Sequence, residues 1–161
     1  MRKFVFAGLV ALGGFATINA QCKTVSSIKE NFDTWKEMNK CWIAQPGKAM
    51  LYSSDKKVVF YSMNNPRENM YLVTPKVKAG KYTLTLDASD NGGETTMELF
   101  SINNASDPKS YVSIAKSSKI TGTKKTFDVI LKKDSNLGVK VVLNGVHQAV
   151  YVDNFSLTPK K

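Results

Sequence analysis

The stretch Gly80–Ala88, GKYTLTLDA, constrains the fold more than any other part of the chain. Tyr82, Leu84, Leu86 and Ala88 fall on one side of an extended segment and Thr83, Thr85 and Asp87 on the other, the pattern of a strand buried on one face only. Phe127, Val129 and Leu131 oppose Thr126 and Asp128 in the same way. Strands covered on both faces by helices would be almost continuously apolar, so this alternation requires antiparallel layers packed face to face.

Other short segments rich in β-branched and aromatic residues follow one another between Gly, Asn, Asp, Ser and Pro clusters. They predict strands at about Cys41–Ala44, Ala49–Ser53, Val58–Ser62, Tyr71–Thr74, Lys81–Ala88, Thr95–Ile102, Tyr111–Lys116, Thr126–Leu131, Val139–Asn144 and Gln148–Thr158. Ile28, Phe32, Trp35 and Met38 are spaced to suit a short helix, but their context favours a short strand followed by a loop. Asp90-Asn91-Gly92-Gly93 and Asn144-Gly145 contain residues that accept positive φ and predict two hairpins. Asn64-Asn65-Pro66-Arg67 and the segment from Asn103 to Lys109 predict loops, the second longer and more mobile; Asn104-Ala105-Ser106 is a glycosylation sequon by pattern alone. The expected fold is all-β, a single two-sheet antiparallel β-sandwich (jelly roll) spanning residues 21–161.

Residues 1–20 are set apart from that domain. Arg2 and Lys3 precede an apolar run from Phe4 to Phe15 and a small-residue exit ending at Ala20, the layout of a signal peptide. The run is well short of the roughly 20 residues needed to cross a bilayer, so no membrane span is expected. An exported protein follows, periplasmic, at the cell surface or extracellular. In an oxidising compartment the two cysteines, Cys22 and Cys41, are expected to form a disulfide, worth about 3 kcal/mol for a loop of this size. Lipidation of Cys22 is the alternative, with Asn19-Ala20-Gln21 a poor lead-in.

The formal net charge is +10, of which only Arg2 and Lys3 belong to the leader, so the domain itself is basic. That favours acidic partners such as anionic polysaccharide, although lysines beside turns also serve to blunt strand edges. No nucleic-acid-binding motif is present. Catalysis finds little footing either. His147 is the sole histidine and lies beside a turn, no nucleophile-elbow string occurs, and Asp87, Glu94, Glu98 and Asp128 show no spacing that marks a carboxylate pair.

The last strand carries one anomaly. By alternation Asp153 shares a side with Phe155 and Leu157, which would aim a carboxylate at the core. A buried carboxylate needs a cation, a hydrogen-bonding shell or a bulge that turns it outward.

Several strings taken in order resemble a known group. ENFD at Glu30–Asp33 with Trp35 behind it, YLVTPKV at Tyr71–Val77, GKYTLTLDA and a final YVDNFSL at Tyr151–Leu157 are similar to galactose-binding-like jelly rolls, above all to cleaved-adhesin-like domains and carbohydrate-binding modules of secreted Bacteroidetes proteins. The resemblance implies first and last strands that are neighbours, and a structural Ca²⁺ near their meeting point with Asp33 and Asp153 as carboxylate ligands. It also implies a non-catalytic module that binds carbohydrate or a surface glycoconjugate; the alternative is a small envelope protein that docks to a protein partner. Trp35 and Trp42 are expected in the core, leaving Tyr52, Tyr61 and Tyr111 as the expected ligand-binding platform, since aromatic faces stack on sugar rings.

Overall fold

The computed structural model describes residues 22–33, 41–45, 50–54, 56–63, 69–92, 95–117, 120 and 124–161. Residues 1–20 (expected to be a signal peptide), Trp35, Met38, the expected loop at 64–67 and Glu94 lie outside the described residues. Among the described residues there are eleven strands: β1 (Ile28–Glu30), β2 (Ile43–Gln45), β3 (Met50–Ser54), β4 (Lys57–Ser62), β5 (Asn69–Val77), β6 (Gly80–Asp90), β7 (Thr96–Ile102), β8 (Tyr111–Ser117), β9 (Lys124–Leu131), β10 (Ser135–Val142) and β11 (Gln148–Pro159). They form two antiparallel sheets, one ordered β3-β4-β11-β6-β9 with β1 also paired to β11, the other β2-β5-β10-β7-β8. The chain is a β-sandwich, as the alternation requires. Leu84, Leu86, Val129, Leu131, Val152 and Leu157 from one sheet and Leu72, Met97, Leu99, Leu137, Val139 and Val141 from the other fill the space between.

Neither expected hairpin exists. The turn at Asn91-Gly92 leads from β6 in one sheet to β7 in the other, and Asn144-Gly145 leads from β10 to β11, again between sheets. The turn residues permit a reversal but do not choose the partner strand; burial of each strand's apolar face does. The two crossovers are tied to each other. Gln148, almost fully buried, accepts the N–H groups of Asn144 and Gly145 at 2.9 and 2.8 Å and donates to the Gly92 carbonyl at 2.7 Å. Asn91 donates to the His147 carbonyl and accepts the Ala149 N–H.

The strings that carry the resemblance have local physical roles. In ENFD, Glu30 accepts the Phe32 N–H at 2.8 Å, holding Phe32 at φ 54° with its ring buried. That ring meets Trp42 edge-on at 5.4 Å, and Trp42 meets Phe155 at 5.1 Å, so an aromatic column joins the opening segment to β11. Trp42 is thus in the core. In LVTP, Pro75 has no N–H, the β5–β10 register shifts between Asn136 and Gly138, and buried Thr74 accepts the Leu137 N–H at 3.0 Å.

The final strand corrects the reading of Asp153. Val150 and Val152 point inward, and so do Phe155 and Leu157, which is possible only because the β6–β11 register shifts between Asp153 and Ser156. Asn154 sits in this bulge at φ 48°, a region that asparagine tolerates better than most residues. The bulge reverses the alternation, so Asp153 shares the outer face with Tyr151 instead of the core face with Phe155.

Candidate functional site

The site lies on the outer face of the five-stranded sheet. Leu137, Val139 and Val141 of β10 are buried in the core, so Asn136, Gly138 and Lys140 belong to the opposite face. The pairing register then lays out three rows across β5, β10, β7 and β8. These are Tyr71–Lys140–Glu98–Lys116, Val73–Gly138–Phe100–Ser113 and Lys76–Asn136–Ile102–Tyr111. Gly138 at the centre leaves room for Ile102, whose Cδ1 would lie 2.4 Å from a Cβ there and would have to shift.

Three half-buried rings gather on these rows. Tyr71 meets Tyr111 at 5.2 Å and Phe100 at 5.8 Å, both edge to face, and Phe100 lies 6.4 Å from Tyr111. The Lys140 ammonium stands 6.0 Å from the Tyr71 centroid and 5.7 Å from that of Phe100. Glu98 lies 3.2 Å from Lys116 and 3.9 Å from Lys140 and accepts the Ser113 hydroxyl. Burial pushes the Glu98 carboxyl up, but the Ser113 and Lys116 hydrogen bonds and the two lysine charges outweigh it and hold it below the ordinary value. Burial, aided by Glu98, pushes the Tyr71 phenol up; burial, aided by Tyr71 and Asp107, does the same for Tyr111. The face offers aromatic surface beside a fixed ammonium and carboxylate, a combination suited to a polyhydroxylated ring.

Next to the third row lies a half-open pocket of about 260 Å³, lined among the described residues by Cys22, Cys41, Pro75, Lys76, Asn103, Asn104, Ala105 and Asn136. The segment after β7, expected to be mobile, is braced. Ser110 donates to the carbonyls of Asn104 and Asp107, Asp107 caps a 3-10 turn at Pro108–Ser110, and the Tyr111 hydroxyl donates to the Ala105 carbonyl at 2.7 Å. Cys22 and Cys41, which also line the pocket, form the expected disulfide, with Cα atoms 5.6 Å apart.

The three tyrosines singled out from sequence are not brought together. Tyr111 is part of the aromatic cluster. Tyr61 is on β4 in the other sheet, where its hydroxyl lies 2.9 Å from His147 Nδ1. Tyr52 is on β3 of that same sheet, opposite Val59 in register. Tyr71, Phe100, Glu98 and Lys140 are the residues that the sequence reading did not assemble. Their only signal was that Glu98 and Phe100 lie on one side of β7, with Tyr71 at the head of β5; the cross-strand register that unites them is not written in any single strand.

For calcium, the β1–β11 pairing brings the opening segment against the final strand, with Glu30 opposite Phe155. Asp33 is exposed and accepts the Asn31 side-chain amide, and Asp153 accepts the Asn154 N–H at 2.7 Å. No group of three or more His, Cys, Asp or Glu able to hold a metal ion occurs among the described residues. Two carboxylates alone fall well short of the six to eight oxygens that Ca²⁺ takes. No helix among the described residues is long and apolar enough to cross a membrane.

No family model matches the sequence, and no curated protein matches it. Solved structures do match. The K1 cleaved adhesin domain of Lys-gingipain from Porphyromonas gingivalis W83 aligns over 85% of this chain and 100% of its own, with TM-score 0.59 and 14% identity. The chain shares its β-sandwich fold with that domain. A family 29 carbohydrate-binding module aligns over 83% of this chain and 88% of its own (TM-score 0.56, 11% identity), and a structure titled for CBM4 over 79% and 100% (TM-score 0.54, 14% identity). At such identities the likeness is one of fold.

Proposed function

We propose that this chain is an exported, non-catalytic module that binds carbohydrate or a surface glycoconjugate. The observation that carries the reading is the Tyr71–Phe100–Tyr111 cluster, flanked by Lys140 and Glu98, on an outer sheet face. Apolar rings held half-exposed beside paired polar groups match a sugar, whose C–H faces stack and whose hydroxyls take hydrogen bonds. The likeness to modules named for carbohydrate binding supports it. Export is supported by the Cys22–Cys41 disulfide and by the signal-peptide pattern of residues 1–20.

A glycan array probed with the purified protein tests this reading. Binding that is lost in Tyr71→Ala, with melting unchanged, supports it; a blank array with one stoichiometric partner in pull-down replaces it with the protein-docking alternative. A structural Ca²⁺ at Asp33 and Asp153 is a separate proposal, supported by the meeting of the opening segment and β11. Added Ca²⁺ should raise the melting temperature over a chelated sample, and identical melts would dismiss the ion.

A further inference from the structure

The cavity beside the platform differs from it in charge. Among the described residues Lys76 is the only charged one lining it, no carboxylate lines it, and Lys76 has no ion pair. On the platform, by contrast, Glu98 is matched to two lysines. Local hydrogen bonds also sort the amide groups. Asn104 Oδ1 accepts the Ser106 N–H at 3.0 Å and Asn103 Oδ1 accepts the Ser135 hydroxyl at 3.4 Å. The NH₂ groups of both therefore have no hydrogen bond among the described residues. A small concavity with an ammonium and two amide donors suits a ligand rich in acceptors and negatively charged.

Size and position narrow the ligand further. At about 260 Å³ the cavity is just below the range of drug-sized pockets and fits about one ring. It adjoins the platform through two residues. Asn136 shares a row with Tyr111, and Tyr111 holds Ala105 of the cavity wall. Lys140 and Asn136 are four residues apart on β10, about 13 Å at the usual strand rise, so one chain of sugars can occupy both places.

Resting on the carbohydrate reading above, we propose that this cavity is a subsite for an anionic sugar, one bearing a carboxylate or a sulfate ester, within the same glycan chain whose neighbouring unit stacks on Tyr71 and Tyr111. Lys76 takes the charge and the Asn103 and Asn104 amides take the acceptor oxygens.

The test uses two matched pairs of polymers, β-mannan with mannuronan for the carboxylate and dextran with dextran sulfate for the sulfate, in affinity gel electrophoresis at fixed ionic strength. The acidic member of at least one pair is expected to bind about tenfold tighter than its neutral partner, the scale of one hydrogen bond to a charged group. Lys76→Gln should bring the acidic polymer down to the neutral one's affinity, whereas Lys29→Gln, an exposed lysine on β1 in the other sheet, should keep the difference. The pair that responds identifies the anion. Equal binding of acidic and neutral members, or a preference that survives Lys76→Gln or falls equally with Lys29→Gln, overturns the subsite and leaves the carbohydrate reading standing. Failure to bind any polymer here, together with a blank glycan array, overturns the carbohydrate reading and this subsite with it.

Discussion

Tyr71 and Tyr111 meet edge to face with ring centroids 5.2 Å apart, although they come from β5 and β8, with β10 and β7 between them. The two rings reach toward each other across the outer face, over rows in which Gly138 leaves room for the Ile102 side chain.

Removing either ring should therefore affect binding more than folding. Tyr71→Ala and Tyr111→Ala are each expected to weaken glycan affinity about tenfold, close to 1.4 kcal/mol. Isothermal titration with whichever glycan the array returns checks this, with near-UV circular dichroism confirming that the core is intact.

At Gly138, alanine should act in the opposite order. Its Cβ would collide with Ile102 Cδ1, so Gly138→Ala is expected to destabilise the fold by about 1–3 kcal/mol through overpacking. Urea denaturation measures the loss directly.

The bulge at Asn154 gives a test of why the final strand reads YVDN. Asn154→Gly keeps the left-handed backbone accessible and should cost little, whereas Asn154→Val should cost about 1–2 kcal/mol or more. Part of the loss in both variants comes from the side-chain bond of Asn154 to Asp87, 2.9 Å. A valine variant as stable as glycine would show that the bulge is not held by its backbone preference.

Gln148 is the polar residue whose loss should hurt most. Gln148→Ala leaves the N–H groups of Asn144 and Gly145 and the carbonyl of Gly92 without this partner, and about 2–4 kcal/mol is expected from guanidinium melts. Gln148→Glu keeps the acceptor but not the donor to Gly92, and puts a charge into a buried position, so it should not rescue.

The pH profile follows from the shifted groups. Glu98 is held below its ordinary 4.5, so its contribution to stability is complete above that value and is lost as the pH falls through its folded value. Tyr71, Tyr82 and Tyr111 are raised above 10.0, so theirs is complete below pH 10 and is lost as the pH rises through the folded values. Melting temperature against pH should fall at both ends, and Glu98→Gln should flatten the acid side.

The sandwich was legible because alternation reports directly on one-sided burial, as in Tyr82 to Ala88 and Phe127 to Leu131. The core role of Trp42 and the Cys22–Cys41 bond were legible for similar reasons, each following from one residue type in one setting. Asp153 was misread because a single left-handed residue, Asn154, inverts the period, and period-two reasoning has no way to count an extra residue in a strand. The hairpins were misread because Asn-Gly chemistry describes a turn and not the sheet beyond it. The aromatic cluster was largely hidden, since it depends on registers among four strands that are far apart in the chain.

The twelve residues of β11 stand between β4 and β6 and also hold β1. Without them the six-stranded sheet falls into the β3–β4 and β6–β9 pairs, and two-stranded pieces are marginal in water. Every strand of that sheet except β3 and β9 therefore rests directly on β11, so damage to this one segment reaches both halves of the sheet at once.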